Sequence, residues 1–506
     1  AGLCESPLTF QAITIWRDEL LSEDILLRDV IDLEAMASVA GKVILDDGSM
    51  DLDLQINRLD ANGGQLIAVS KYESSDKTLE LDVKLSEPSN GILASSIGLE
   101  GRPPITLTLK GNAPLSELNV ALAFDVDNKR ILDGSLQFNE DEHGILAKLD
   151  MDGPISDILP QEHREFFGAR SVLSALMQFS NTGGMSINQS SLKSGMINLS
   201  ANGKTTSDGF LSALNLDLLL KSDLRQSFAI PSNNNDITVS SVELNVDYDA
   251  SKNLNWDGNF LVNDFRNAEL SAEIIRLETD AKIYNIVDIE NRSVEFQSIG
   301  NISGITANDP AISQAIGRSI KLNANGNWQA GEPINLQNFE VIGNTLNLIA
   351  KGTIEKMAFD GAVTVNASNL ETFSSLLENE LAGQVNLKAE GTLNPLSGGF
   401  DLKVDGSSKD VSIGNRQVDP LLYGQTTLNG GVARTAEGLK FEDFKLSNSQ
   451  LEANIDGKLA SDAANISANA FIRDIAVVDQ KSSGKLSVNF DVTGNQAPFN
   501  LTSEIG

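Results

Sequence analysis

Along much of this chain apolar and polar residues alternate over six or seven positions, and each run closes on a glycine. The apolar members are Ile105, Leu107 and Leu109 before Gly111; Ile197, Leu199 and Ala201 before Gly203; and Ile320, Leu322 and Ala324 before Gly326. The same form returns in Leu346, Leu348, Ala350 and Gly352; Val385, Leu387, Ala389 and Gly391; and Phe400, Leu402, Val404 and Gly406. Two more close the series: Leu451, Ala453, Ile455 and Gly457, then Val488, Phe490, Val492 and Gly494. Successive strand side chains point to opposite faces, so each run predicts a half-buried strand with one apolar face and one face of Asn, Lys, Thr, Ser, Asp or Glu. The closing glycine, often beside Asn or Asp, predicts a tight turn into an antiparallel neighbour. Roughly forty such strands are expected, and at a strand spacing of ~4.8 Å they reach envelope scale.

Three stretches switch to helical spacing. Ser368-Asn369-Leu370-Glu371 reads as a capping box opening an amphipathic helix over 368–382, with Leu370, Phe373, Leu376, Leu377 and Leu381 on one face. After Pro160, the set Phe166, Ala169, Leu173, Leu176 and Met177 predicts a helical insertion over 154–185. A short helix is expected within 306–318, from about Pro310 to Ile316. The fold class is therefore mainly β, an elongated antiparallel β-sheet array curled into a trough with a few short amphipathic helices. Its β parts are 1–153, 186–305, 319–367 and 383–506.

Composition sharpens this picture. The chain has 506 residues, too many for one ordinary core, and 41% are hydrophobic while only 5% are aromatic. Burial must be spread over Leu, Ile, Val and Ala. A sheet of this length cannot leave a large apolar face in water, so the face is either closed into a dry sandwich or open as a trough that holds something apolar. Few large rings fill the inward set, which favours room for a ligand. The groove-lining candidates are Ile105, Leu107, Leu109, Ile197, Leu199, Ile320, Leu322, Leu346, Leu348, Val385, Leu387, Leu402, Val404, Leu451, Ile455, Val488 and Phe490. A formal net charge of −32 repels phosphate backbones and excludes nucleic acid as an expected partner.

Catalytic chemistry is not legible. His143 and His163 are the only two histidines and have no His partner at helical spacing, and Cys4 is the sole cysteine. No zinc pattern and no nucleophile motif results, so no catalytic, cofactor or metal residue is expected and the chain is read as a non-enzyme. Asp46-Asp47-Gly48 and Asn139-Glu140-Asp141-Glu142 lack the spacing of known calcium loops. The chain starts with Ala1, carries no signal segment and no apolar run of membrane-spanning length, and reads as an internal fragment.

Three stretches carry a family likeness: Leu79 to Phe138, Ser368 to Thr392 (SNLETFSSLLENELAGQVNLKAEGT) and Asp419 to Ala460. They resemble the translocation and assembly module subunit TamB family of AsmA-like bacterial envelope proteins, the first and last in versions from alphaproteobacteria. The resemblance implies a periplasmic scaffold anchored to the inner membrane, with an Omp85-type outer-membrane barrel as partner. It also implies an apolar groove that serves phospholipid transfer and the assembly of outer-membrane proteins and autotransporters. On this resemblance the chain is expected to be a fragment lacking the N-terminal anchor and the C-terminal domain that meets the barrel. Two other functions remain open at this stage: a β-templating chaperone that holds unfolded outer-membrane proteins without carrying lipid, and a closed-core structural or adhesive rod.

Overall fold

A computed structural model describes residues 20–21, 25–26, 36–59, 63–222, 226–231, 237–395, 397–460, 463–494 and 500–505. Cys4 lies outside them. Over the described residues the protein is mostly β, 65% strand and 7% helix, with one long antiparallel sheet of 30 strands that does not close into a barrel and four short helices. The strands are fewer than the forty expected because the principal ones are longer than six or seven residues, reaching 15 in Leu270–Tyr284. The chain divides into an N-terminal unit, residues 1–235 with 240–251, and a C-terminal unit, residues 236–239 with 252–506.

Within each unit the sheet is a meander whose consecutive long strands pair in antiparallel register. The register aligns the apolar positions from strand to strand. In the N-terminal unit Leu85 faces Leu107, Leu107 faces Phe124, and Phe124 faces Leu132. In the C-terminal unit Val341 faces Leu348, Leu348 faces Val365, and Val365 faces Leu387. A one-residue slip would put every apolar side chain of a strand on the polar face, so the alternation itself selects this register.

Chain reversal alternates between the two rims of the sheet, and the rims differ in kind. In the N-terminal unit one rim carries the connections at 46–49, 73–78, 114–119, 141–144, 180–185 and 205–211, which hold no helix. The opposite rim holds helix Ile92–Ser96, the 3-10 turn Ile155–Ile158 and helix Gln161–Phe167. In the C-terminal unit helix Pro310–Ile316, the 3-10 turn Leu370–Phe373, helix Asp419–Leu422 and the 3-10 turn Ile475–Val477 likewise share one rim.

The glycines that close the alternating runs are not turn residues. Gly111, Gly203, Gly326, Gly352, Gly391, Gly406 and Gly457 lie inside strands, and Gly494 ends one. They mark close approaches of backbone. Gly352 faces Gly361, and Gly361 faces Gly391, so three strands share a glycine crease. A Cβ on Gly361 would stand 2.2 Å from the Lys351 carbonyl oxygen and 2.6 Å from the Gly352 Cα. Glycine inside a strand serves this use when the sheet bends. The positive-φ turns use other residues, such as Asp47-Gly48, Asp127-Asn128 and Lys356-Met357.

Two of the three helical readings are corrected. The amphipathic helix over 368–382 is only the 3-10 turn Leu370–Phe373. Asn369, not Ser368, supplies its cap, accepting from the Glu371 N–H at 3.0 Å. The loop then closes on Ser374, whose Oγ accepts from the Leu381 N–H at 2.9 Å, while Leu376 and Leu377 are exposed. The insertion over 154–185 is helical only to Phe167, because Gly168 leaves the helix at φ 65°. Leu173, Leu176 and Met177 lie on the strand Ser171–Ser180. Its run Val172 to Phe179 is apolar at both helical and strand spacing, and pairing with Gly144–Gly153 decides for strand. The third reading, Pro310–Ile316, is a helix at those bounds.

Candidate functional site

All seventeen groove candidates lie on the apolar face of their strands, and the ladders link them into rows. Ile105 and Val404 are buried, at 4% and 6% exposure. Leu346 and Phe490 are exposed, at 36% and 40%, and the other thirteen are half-buried. Side chains meeting across a dry sandwich core would be buried throughout, as interiors pack to crystal-like density. This face is instead half open, and its lining is Leu, Ile, Val, Ala, Phe and Gly.

The opposite face is polar and cross-linked. Lys110 pairs with Asp82 at 2.8 Å and Lys148 with Asp150 at 2.6 Å. The Lys148 ammonium, then the Ser174 hydroxyl, hold the Asp150 carboxyl below its ordinary value. Side-chain amides bridge strands as well: Asn335 donates to Asn327 at 2.9 Å, Asn325 to Gln337 at 3.0 Å, and Asn245 to Asp217 at 2.7 Å. Exposed pairs of this kind add little stability, about 0–1 kcal/mol each, but they keep the outer face wet.

One charged pair intrudes on the apolar face. Glu87 sits opposite Ile105, and Arg58 follows the inward positions Leu54 and Ile56 on its strand. The Arg58 guanidinium lies 3.4 Å from the Glu87 carboxylate, with side-chain exposures of 11% and 6%. Glu87 also accepts from the backbone N–H groups of Ile92, Leu93 and Ala94, capping the helix that follows. A Cβ on Gly91 would stand 2.0 Å from the Glu87 carboxyl, so this carboxylate position requires glycine there. The sequence held no signal for the pair, since Glu87 precedes the helix at a spacing outside the usual capping motifs. Beside it, Ala94, Leu99, Ile105, Val126 and Ile131 form a buried cluster with Leu85, Phe124, Leu132 and Ile158 packed against it.

The remaining candidate chemistry is dispersed. His143 is exposed in a turn beside Glu142, and His163 is half-buried in helix Gln161–Phe167. Asp46-Asp47-Gly48 forms a hairpin turn, in which the Ser74 hydroxyl donates to the Asp47 carbonyl at 2.9 Å. Glu140 is held by the Lys77 ammonium at 2.7 Å. Among the described residues no group of three or more His, Cys, Asp or Glu side chains is placed to hold a metal ion. None of the described helices is long and apolar enough to cross a membrane. No protein-family model and no solved structure matches the chain.

Proposed function

We propose that this chain is part of a periplasmic scaffold of the TamB kind, whose apolar face carries phospholipid acyl chains between the inner and outer membranes. It supports outer-membrane protein and autotransporter assembly in doing so, and acts by binding alone, without covalent chemistry. The observation that carries this reading is the half-buried apolar face, aligned strand by strand and backed by a solvated acidic surface. The likeness of three stretches to TamB supports it independently, and so supports inner-membrane anchoring and an Omp85-type barrel partner.

The energetics suit the task. Each methylene taken from water gains about 0.8 kcal/mol, so a diacyl lipid of some thirty methylenes must be shielded against a cost on the order of 20 kcal/mol. A lining of repeated small aliphatic side chains supplies that shielding at every step without a deep minimum to trap the cargo.

Leu387 is the position to test, because it is half-buried in the middle of its strand and faces Val365 and Gly406. Leu387→Asp is expected to leave the far-UV circular dichroism unchanged while lowering phospholipid transfer between vesicles by about a hundredfold, since a carboxylate among acyl chains costs about 3 kcal/mol. Lys388→Asp, on the polar face, is expected to transfer normally. A photo-crosslinker at Leu387 or Leu402 should capture phospholipid, and capture of unfolded barrel protein without lipid would replace this reading by a chaperone.

A further inference from the structure

The apolar face of the N-terminal unit is not symmetric across its width. Next to the helical rim its side chains are shut in: Ile105 and Val126 are 4% exposed and Val242 is 6% exposed. The roof is built from the helix Ile92–Ser96 and Ile158, which pack into the buried cluster around Ile105. Farther along the same rim Phe166 stacks on Phe228 with ring centroids 5.9 Å apart, and the Phe166 carbonyl accepts from the Met196 N–H at 2.9 Å. Next to the turn rim the same face is open. Leu45, Ile145 and Phe179 are 75%, 40% and 44% exposed. Burial at the turn rim is local: Leu118 and Val120 close over Gly111, and Ala147 and Tyr248, the latter on the last strand of the unit, are buried as well.

Charge follows the same division. The turn-rim connections expose Asp46, Asp47, Asp76, Glu117, Glu142 and Asp208, and their one Lys or Arg is Lys77, already held by Glu140. The helical rim mixes signs, with Arg102, Lys129 and Arg164 near Glu100, Asp127 and Glu165. The open side of the face is thus the anionic side. An acyl chain inserted there leaves its head group beside carboxylates, at distances within the ~10 Å reach of electrostatics at 0.1 M salt.

We infer that in the N-terminal unit acyl chains enter the apolar face across the turn rim, and that its acidic turns admit zwitterionic head groups bearing an ammonium in preference to anionic ones. This rests on the phospholipid reading above. The helical rim is closed by packed side chains, so a lipid crossing there must first break the cluster around Ala94, whereas the turn rim presents Leu45 and Phe179 directly. A phosphatidylethanolamine head brings its ammonium to the turn carboxylates, and a phosphatidylglycerol head brings only net negative charge.

The test uses the full chain and phosphatidylcholine vesicles doped with tail-labelled phosphatidylethanolamine or phosphatidylglycerol. Extraction of the ethanolamine lipid should exceed that of the glycerol lipid by about fivefold at low salt, and the ratio should approach one at 1 M salt, where the screening length is ~3 Å. Converting the six exposed turn carboxylates to amides, with circular dichroism confirming the fold, should abolish the preference while ethanolamine-lipid extraction persists. Photo-crosslinkers at Leu45 and Phe179 should label lipid, and one at Ile105 should label less. Equal, salt-insensitive extraction of the two lipids, or stronger labelling at Ile105, would overturn this inference and leave the phospholipid reading standing. Extraction of neither lipid would overturn both.

Discussion

Replacing Gly361 by valine is expected to break the sheet locally, at a cost of about 3 kcal/mol or more, the upper range for overpacking. The new Cβ would stand 2.2 Å from the Lys351 carbonyl oxygen and 2.6 Å from the Gly352 Cα, and both are backbone atoms that cannot swing aside. Relief requires the strands Leu346–Glu355 and Ala358–Ala367 to separate at the crease they share with Gly391. In a meander each strand leans mainly on its neighbours, so the damage should stay within a few strands rather than unfold the chain. Hydrogen exchange should show lost amide protection over roughly residues 346–394, with protection retained in the N-terminal unit. Gly331→Ala is the control. Gly331, unlike Gly361, sits at positive φ, at 81°, but nothing lies within 4 Å of its added Cβ, so a cost of about 1 kcal/mol is expected.

Removing Glu87 should cost a similar amount for an electrostatic reason. Its carboxylate serves three backbone N–H groups and the Arg58 guanidinium while only 6% of its side chain is exposed. Glu87→Ala takes the carboxylate away from the Arg58 guanidinium and uncaps helix Ile92–Ser96, and breaking a buried pair from one side costs about 3–5 kcal/mol. Arg58→Ala should cost less. It leaves Glu87 with its three backbone donors, and the Arg58 contact, at 3.4 Å, is at the long end of hydrogen-bond range. Urea denaturation of the two variants checks the ranking, and equal losses would mean that the ion pair, rather than the helix cap, fixes Glu87. Loss of the roof should also expose Leu99, Ile105 and Val126, raising dye binding by hydrophobic probes in Glu87→Ala.

Much of the face was legible because strand periodicity is local. Leu107, Leu348 and Leu387 declare their side of the sheet through their immediate neighbours, and the register then has only one way to keep them together. Glycine was not legible in the same way. A run that stops at Gly352 or Gly391 looks identical whether the chain turns there or bends and continues, and only the partner strand, with Gly361 between them, shows which. Helices failed where an apolar run satisfied two periods, as from Val172 to Phe179, or where Ser374 closed a loop around side chains with helical spacing. The difference between the rims was beyond local reading altogether. A connection's rim depends on whether an even or odd number of strands precedes it, so a single miscounted strand exchanges the two rims. Arg58 and Glu87 were missed because their partnership spans 29 residues and joins two strands that are not adjacent in the ladder.

The proposed function requires the aligned apolar face to be an open site for acyl chains. Native mass spectrometry of the chain, expressed in a bacterial periplasm and purified without detergent, tests it most directly. The account predicts bound phospholipid, lost when Leu107, Leu199, Leu348 and Leu387 are together replaced by Asp in a protein that keeps its β-sheet signature. A wild-type chain that is folded, free of lipid and unable to take up phospholipid from vesicles would contradict it.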